Sequence, residues 1–170
     1  MGDVTEALAT AEIWLSEYLS PEVDLVPVPR SAPFREESSI WPALEICREL
    51  ERRGLCREIQ PLLARRTRIR KSGFLTRAAD RPSPEEHIAS LGIEPETSFF
   101  SDRITVVDDV ITRGSQLLAA ASCLAHRFPW AKIMAFAAIR TVSEDDIESF
   151  LQPAQGLISS SGANRLQRRP

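Results

Sequence analysis

The stretch "RITVVDDVITRGSQ", residues 103–116, runs from apolar, β-branched residues into two adjacent carboxylates and then into Thr-Arg-Gly-Ser. Residues 103–109 predict a strand, because an unbroken run of β-branched and apolar side chains is typical of a buried strand. The following "SQLLAAASCLAHRF" (115–128) is rich in Ala and Leu and predicts a helix. Gly114 lies between the two and suits a tight turn. This order of strand, turn and helix is the unit from which α/β folds are built.

The rest of the chain continues the alternation of strands and helices. Apolar spacing predicts a sheet buried on both faces, because the strand runs are continuous rather than alternating. We therefore expect a single α/β domain with a mostly parallel sheet of about four or five strands, helices on both faces and strand 103–109 in the centre. The further predicted strands are "VDLVPVP" (23–29), "CREIQPLLARR" (56–66, with Pro61 unfavourable) and "KIMAFAAIRTV" (132–142), and the further predicted helices cover 4–18, 38–54 and 83–92.

Capping residues mark the ends of two of these helices. For the helix over 38–54, Ser38 or Ser39 suits the N-cap and Gly54 suits the C-terminal stop. For the shorter helix that follows, Ser83 suits the N-cap because Glu86 lies three residues later, as in a capping box. Both helices are therefore expected to begin at a serine.

Length and composition fit one ordinary globular domain. The chain has 170 residues, 43% of them hydrophobic and 26% charged, and a net charge of −3. The negative charge argues against a broad nucleic-acid interface, so nucleic acid is not an expected partner. The three cysteines, Cys47, Cys56 and Cys123, are odd in number and lack C-x-x-C spacing, which argues against a disulfide framework and a zinc site.

The sequence carries no signal peptide and no membrane span that we recognise. Asp3, Glu6 and Glu12 occupy the region where a signal peptide has basic and apolar residues. The longest apolar run, residues 133–139, is too short to cross a bilayer. We therefore expect a soluble, cytoplasmic protein without membrane contact. The sequence leaves open whether it is a monomer or a homodimer.

The two acids and the turn after them suit a phosphorylated sugar. Ligands of open α/β sheets bind at the carboxyl ends of the strands, where Asp108 and Asp109 are predicted to lie. Gly114 lets the backbone approach a ligand, and the helix after it directs unpaired N–H groups and its positive dipole end at the same point. Thr112 and Ser115 add hydroxyl groups. An anion at the turn and a polyol at the acids would both be bound.

These residues carry a resemblance to a known family. "ITVVDDVITRGSQ" resembles the phosphoribosyl-pyrophosphate (PRPP) motif of type I phosphoribosyltransferases, with two acids, an apolar pair and a Thr-x-Gly-Ser turn. The likeness extends more loosely over residues 23–142. "DLVPVPRSAP" (24–33) is similar to the first strand and pyrophosphate loop of the competence-protein-F-like branch. That branch often has an N-terminal zinc finger, which this sequence lacks, so a stand-alone domain is expected.

The resemblance implies a type I phosphoribosyltransferase-like fold over residues 1–152. Within it, residues 1–20 form an N-terminal helix and residues 65–90 a mobile loop, whose basic part (65–81) closes over the reacting centre. The tail "SSSGANRLQRRP" (159–170) is polar and predicts disorder, and we expect the disordered segment to begin at residue 153.

The resemblance also assigns roles residue by residue. Asp108 and Asp109 would hold the ribose 2′ and 3′ hydroxyls and stabilise the reacting sugar. The remaining assignments are Ile111, Thr112, Arg113, Gly114 and Ser115 for the 5′-phosphate, Arg30, Ser31 and Ala32 for the pyrophosphate, and Arg77 and Arg81 as contacts from the closing loop.

The implied reaction is a displacement at ribose C1. Pyrophosphate leaves, positive charge develops on the sugar, and a nucleophile, often a nitrogen base, takes its place. Mg²⁺ is the implied cofactor and would bridge the pyrophosphate and the ribose hydroxyls, with no side chain of the protein assigned as its ligand.

Other interpretations stay open beside this one. An Asp-Asp pair after a strand is often a capping or loop device, although the Thr-x-Gly-Ser turn at this offset favours ligand binding. The arginines of 65–81 form either the closing loop or a solvated face. His87 is expected at the surface. The protein is either a transferase or a non-catalytic PRPP or nucleotide sensor on the same fold, and its acceptor is not specified by the sequence.

Overall fold

A computed structural model of the protein describes residues 15–31, 40–69, 82–93, 101–141, 153–160 and 166–169. Residues 15–18 are helical. None of the helices in these segments has the length and apolar character needed to cross a bilayer. The elements that follow in chain order are β1 (Asp24–Pro27), α1 (Pro42–Arg52), β2 (Glu58–Ile59), β3 (Leu63–Arg65), α2 (Pro84–Ser90), β4 (Leu91–Ile93), β5 (Arg103–Ile111), α3 (Ser115–Arg127), β6 (Lys132–Arg140), β7 (Leu157–Ser160) and β8 (Leu166–Arg169).

Four strands form one parallel sheet in the order β2-β1-β5-β6. In β1, Asp24 pairs with residue 58 of β2 on one side and with residue 104 of β5 on the other. Strand β5 pairs with β6 along nearly its whole length, from residue 103 to residue 111. The predictions of an α/β fold, of a parallel sheet and of β5 as an interior strand are therefore confirmed.

The sheet separates two hydrophobic cores. Successive residues of β5 alternate between them, so that Val106 faces a core with α3 while Val107 faces a core with α1. Both side chains are fully buried. Helices therefore cover both faces, as the continuous apolar runs predict. Cys47 and Cys56 lie in the α1 core as free thiols, and burial raises their pKa values to about 12 and about 11.

Helix α1 begins later than the sequence predicts. Its N-cap is Trp41, which makes no side-chain capping bond, so the prediction of a cap at Ser38 or Ser39 is wrong. Trp41 instead donates its indole N–H to the carbonyl of Val28 at 2.7 Å. This bond fixes the start of α1 against the chain leaving β1.

The end of α1 and the start of α2 follow their sequence signals. Gly54 has a φ of 70°, and the amides of Gly54 and Leu55 donate to the carbonyls of residues 51 and 50, a Schellman motif. At α2, the Ser83 hydroxyl accepts from the Glu86 amide while the Glu86 carboxylate accepts from the Ser83 amide. The predicted glycine stop and capping box are both confirmed.

Residues 56–66 form two short strands rather than the single predicted one. Pro61 lies between them and has no N–H to donate to a sheet. Strand β2 joins the parallel sheet, whereas β3 pairs antiparallel with β4, residue 63 opposite residue 93. The segment 65–90, expected as a mobile loop, thus begins at the end of β3 and stops just before β4, and these two strands pair with each other. Helix α2 within this segment contacts α3. Residues 70–81, with Arg77 and Arg81, lie outside the described residues.

The tail contains regular structure where disorder is predicted. Strands β7 and β8 pair antiparallel, with residue 157 opposite residue 169 and residue 160 opposite residue 166. Ile158 packs against the α3 core. Ile158 gives the tail an apolar side chain to bury, although the composition of the tail as a whole is polar.

Candidate functional site

The carboxyl ends of β1 and β5 lie side by side. The chain leaving β1 stays on β5 for one more residue, because the Val28 amide donates to the carbonyl of Val107 at 2.9 Å. Arg30 and Ser31, from the predicted pyrophosphate loop, follow directly, while Asp108 and Asp109 lie within the last four residues of β5. The structure therefore brings the start of this loop and the acidic pair to one edge of the sheet. Ala32 lies outside the described residues.

Each acid of the pair is held by the next backbone amide. The Asp109 N–H donates to Asp108 Oδ1 at 3.0 Å, and the Val110 N–H donates to Asp109 Oδ1 at 2.9 Å. Asp108 is only 6% exposed, whereas Asp109 is half-buried. Burial, and then the neighbouring Asp109, raise the pKa of Asp108 to about 8. At neutral pH the Asp108 carboxyl is thus mostly protonated in the unliganded protein.

A glycine turn follows β5, as the sequence predicts, and the structure gives its backbone angles. Gly114 is the N-cap of α3 with φ 84° and ψ 10°, the left-handed region that favours glycine. No side chain caps this helix end, so the first N–H groups of α3 are not satisfied by a capping side chain. Such a helix start is suited to an anion. Thr112 and Ser115 are half-buried beside the turn, and Arg113 is exposed.

The side of Gly114 where a side chain would project is occupied by the tail. A Cβ built on Gly114 would lie 2.8 Å from Cδ1 of Ile158 in β7. The sequence interpretation attributes this glycine to the close approach of a phosphate. The structure shows a close approach by Ile158, so the glycine is already required by its backbone angle and by this packing.

Arg65 is a residue of this region that sequence reasoning misses. From the sequence, Arg65 is expected among the arginines of a closing loop or a solvated face. In the structure it is 4% exposed at the end of β3. Its Nε donates to the carbonyl of Arg30 at 3.0 Å and its Nη1 donates to the Ser90 hydroxyl. Burial lowers the pKa of Arg65 to about 10, and Asp108 acts in the opposite direction. The two-residue period of a strand is the signal that could have indicated this burial, because Arg65 lies on the same face of β3 as the buried Leu63.

His87 is also buried, at 2% exposure, so the prediction of a surface histidine is wrong. It lies on the side of α2 that turns inward, next to the Ser90 hydroxyl, which donates to the His87 carbonyl at 2.7 Å. Burial, and then the positive charge of Arg65, lower the pKa of His87 to about 4. Its imidazole is therefore neutral at neutral pH, and within the described segments its Nδ1 has no hydrogen-bond partner.

The site as a whole combines acids, a glycine turn and a buried guanidinium. The described residues contain no cluster of three or more His, Cys, Asp or Glu side chains able to hold a metal ion. A divalent cation at this edge would need oxygens from a ligand in addition to the acidic pair. The arrangement suits a ligand that carries both hydroxyl groups and phosphates.

The chain was compared with known proteins in three ways. No match was found among protein-family models, curated proteins or solved structures.

Proposed function

We propose that this protein binds PRPP at the shared carboxyl edge of β1 and β5 and acts as a Mg²⁺-dependent phosphoribosyltransferase with a nitrogen base as acceptor. The proposal includes a type I phosphoribosyltransferase fold. The observation that carries it is the sequence of elements at that edge. Strand β5 carries Asp108 and Asp109 within its last four residues and lies beside the loop that begins at Arg30. The chain after β5 passes through a left-handed Gly114 into the uncapped start of α3.

Each part of the proposed site has a matching part of the ligand. The acidic pair accepts hydrogen bonds from the ribose hydroxyls. The turn of residues 111–115 and the first amides of α3 bind the 5′-phosphate, because a helix N-terminus favours negative charge. The loop starting at Arg30 and Ser31 binds the pyrophosphate.

The proposed reaction breaks the bond between ribose C1 and the pyrophosphate oxygen and forms a bond from C1 to the base nitrogen. The leaving oxygen keeps the bonding electron pair, the nitrogen lone pair supplies the new bond, and the N–H proton of the base passes to solvent. Mg²⁺ would be held by oxygens of the ligand together with the acidic pair, and it would offset the negative charge of the pyrophosphate. Positive charge that develops on the sugar favours transfer of the Asp108 proton to solvent, and the carboxylate then stabilises that charge.

A non-catalytic PRPP or nucleotide sensor is the second candidate. It is favoured by the contact between Ile158 and Gly114, because this contact joins the proposed phosphate turn to the C-terminal strand pair. A ligand at the turn would then change the packing of β7, which a partner could detect. Both candidates need the same ligand site and differ in whether the bond to pyrophosphate is broken.

A thermal-shift and calorimetry experiment tests the shared site. PRPP with Mg²⁺ is expected to raise the melting temperature, since a ligand that binds only the native state stabilises it. The double variant Asp108→Asn with Asp109→Asn should lose this rise, whereas Asp102→Asn, an exposed acid at the opposite end of β5, should keep it. If the double variant responds like the parent protein, the acidic pair is not the ribose site.

Pyrophosphate release then separates the two candidates. Incubation of the protein with PRPP, Mg²⁺ and a panel of purine and pyrimidine bases should release pyrophosphate with one of them if the protein is a transferase. Tight PRPP binding with no release above the rate without protein supports the sensor.

A further inference from the structure

The environment of Arg65 differs from that of most arginines in folded proteins. An arginine is seldom fully buried without a carboxylate partner, because removing its charge from water is costly. Arg65 is 4% exposed, and its two acceptors within the described residues, the Arg30 carbonyl and the Ser90 hydroxyl, are neutral. Its Nη2 has no partner there. Asp108 interacts with the guanidinium electrostatically, whereas these hydrogen bonds hold uncharged groups of two other segments.

The bonds of Arg65 and its neighbours determine the orientation of the Arg30–Ser31 turn. The Arg30 carbonyl accepts from Arg65 Nε at 3.0 Å, and the Ser31 carbonyl accepts from the Ile69 amide at 2.9 Å. Both carbonyls of the turn therefore face the segment after β3. In a planar trans peptide the N–H points opposite to the C=O, so the amide of Ser31 points away from Arg65. A backbone amide held in this orientation can donate to an anion on that side.

The same guanidinium also holds α2. Arg65 Nη1 donates to Ser90, the last residue of α2, whose hydroxyl donates in turn to the His87 carbonyl. One buried side chain therefore connects three segments: the turn after β1, the end of β3 and the end of α2. Moving any one of them requires breaking a charge-assisted hydrogen bond in a buried environment.

We propose that Arg65 is a positioning residue for the pyrophosphate end of the site, which fixes the Arg30–Ser31 peptide with the Ser31 amide directed at the ligand. This inference rests on the proposed function and deepens it. Arg65 acts through the turn, so its loss weakens the binding of pyrophosphate and leaves the 5′-phosphate at the Gly114 turn unaffected.

The test measures the two ends of the ligand separately. Dissociation constants for pyrophosphate and for ribose 5-phosphate, both with Mg²⁺, are measured by calorimetry on the parent protein, Arg65→Lys and Arg65→Met. Lysine keeps the charge but has a single nitrogen in place of the two that donate here, and methionine removes both bonds while filling a similar volume. Both variants should weaken pyrophosphate binding about 10- to 100-fold, the range for losing a charged hydrogen bond, with ribose 5-phosphate changed less than about twofold.

Arg57→Lys is the matched control. Arg57 also donates through two nitrogens, to the two carboxylate oxygens of Asp24 at 2.9 and 2.6 Å, but at the opposite end of β1. This variant should lower stability without separating the affinities of the two probes. Thermal melts of all variants confirm that each is folded at the temperature of the binding measurement, and Arg65→Lys carries the test alone if Arg65→Met does not fold.

The outcomes distinguish the inference from the function on which it rests. A parent protein that binds neither probe overturns the proposed function. A parent protein that binds both, with Arg65 variants that lose both equally or neither, overturns the positioning role and leaves the proposed function intact. A selective loss of pyrophosphate in the Arg65 variants alone supports the inference.

Discussion

Replacing Asp108 with asparagine should stabilise the unliganded protein by an amount that grows with pH. The Asp108 carboxyl is 6% exposed and is next to Asp109, and together these raise its pKa from an ordinary value of about 4 to about 8. In the unfolded chain the carboxyl is in water and ionises near pH 4. Between pH 4 and pH 8 the folded state therefore holds a proton that the unfolded state has released.

The sign and size of the effect follow from proton linkage. Because the folded state binds more protons in this window, the free energy of unfolding falls as pH rises, by about 1.4 kcal/mol per pH unit for one group. The stability is fully present below pH 4 and lost progressively up to pH 8. Over the interval from pH 4 to pH 7 the loss is at most about 4 kcal/mol. Asparagine cannot ionise, and its Oδ1 still accepts from the Asp109 amide, so Asp108→Asn should avoid the loss.

Urea unfolding at several pH values between 4.5 and 7.5 measures the difference. The free energy of unfolding of Asp108→Asn minus that of the parent should be smallest at the lowest pH and rise steadily with pH. Asp102→Asn is the control for replacing a carboxyl with an amide, because it makes the same change at an exposed position next to the other end of β5. Parallel stability profiles of Asp108→Asn and the parent would refute the reasoning and place the Asp108 carboxylate in a well-solvated or paired environment.

Three further predictions concern stability. Gly114→Ala should destabilise the protein more than Gly54→Ala, by about 1 kcal/mol or more in urea unfolding. Both glycines have positive φ, but only a Cβ at Gly114 meets another side chain. Adding Ile158→Ala should recover part of the difference, and equal losses at both glycines would contradict the contact with β7. His87→Leu should gain stability relative to the parent as pH falls from about 6.5 to about 4. In this range the folded parent keeps its buried imidazole neutral while the unfolded parent binds a proton. A pH-independent difference in the free energy of unfolding would show that this histidine is solvated. Ser83→Ala should cost about 1 kcal/mol through loss of the capping box, and an unchanged urea midpoint would mean that α2 does not need its cap.

The parts of the fold that the sequence predicts are those specified by neighbouring residues. The run before Asp108, the glycine at 114 and the Ala-rich stretch after it are each a local signal, and the structure confirms the strand, the glycine turn and the helix. The capping box at Ser83 and the glycine stop at Gly54 succeed for the same reason. In each case the partners lie within about five residues of one another, so the pattern is readable without knowledge of the fold.

The errors concern residues whose environment is set by distant segments. Arg65 is buried because the Arg30 carbonyl and Ser90 converge on it from 35 residues before and 25 residues after. His87 is buried because α2 packs against α3, which no pattern within α2 specifies. Trp41 replaces a serine at the start of α1 because its indole binds Val28, 13 positions earlier. Such contacts depend on the assembled sheet and leave only weak traces in the local sequence.

The position of β1 between β2 and β5 determines the order in which the sheet can be completed. Asp24 pairs with residue 58, 34 positions along the chain, and with residue 104, 80 positions along the chain. During synthesis at about 5–20 residues per second, the side of β1 that will contact β5 stays unpaired for roughly 2 to 9 s after residue 58 has been made. A strand with apolar side chains and unpaired backbone N–H and C=O groups is a template for association with other chains. Because parallel pairing across such a separation forms slowly, the arrival of β5 should control the folding rate. The strand that carries the acidic pair is therefore also the one that ends the period in which the nascent chain can aggregate.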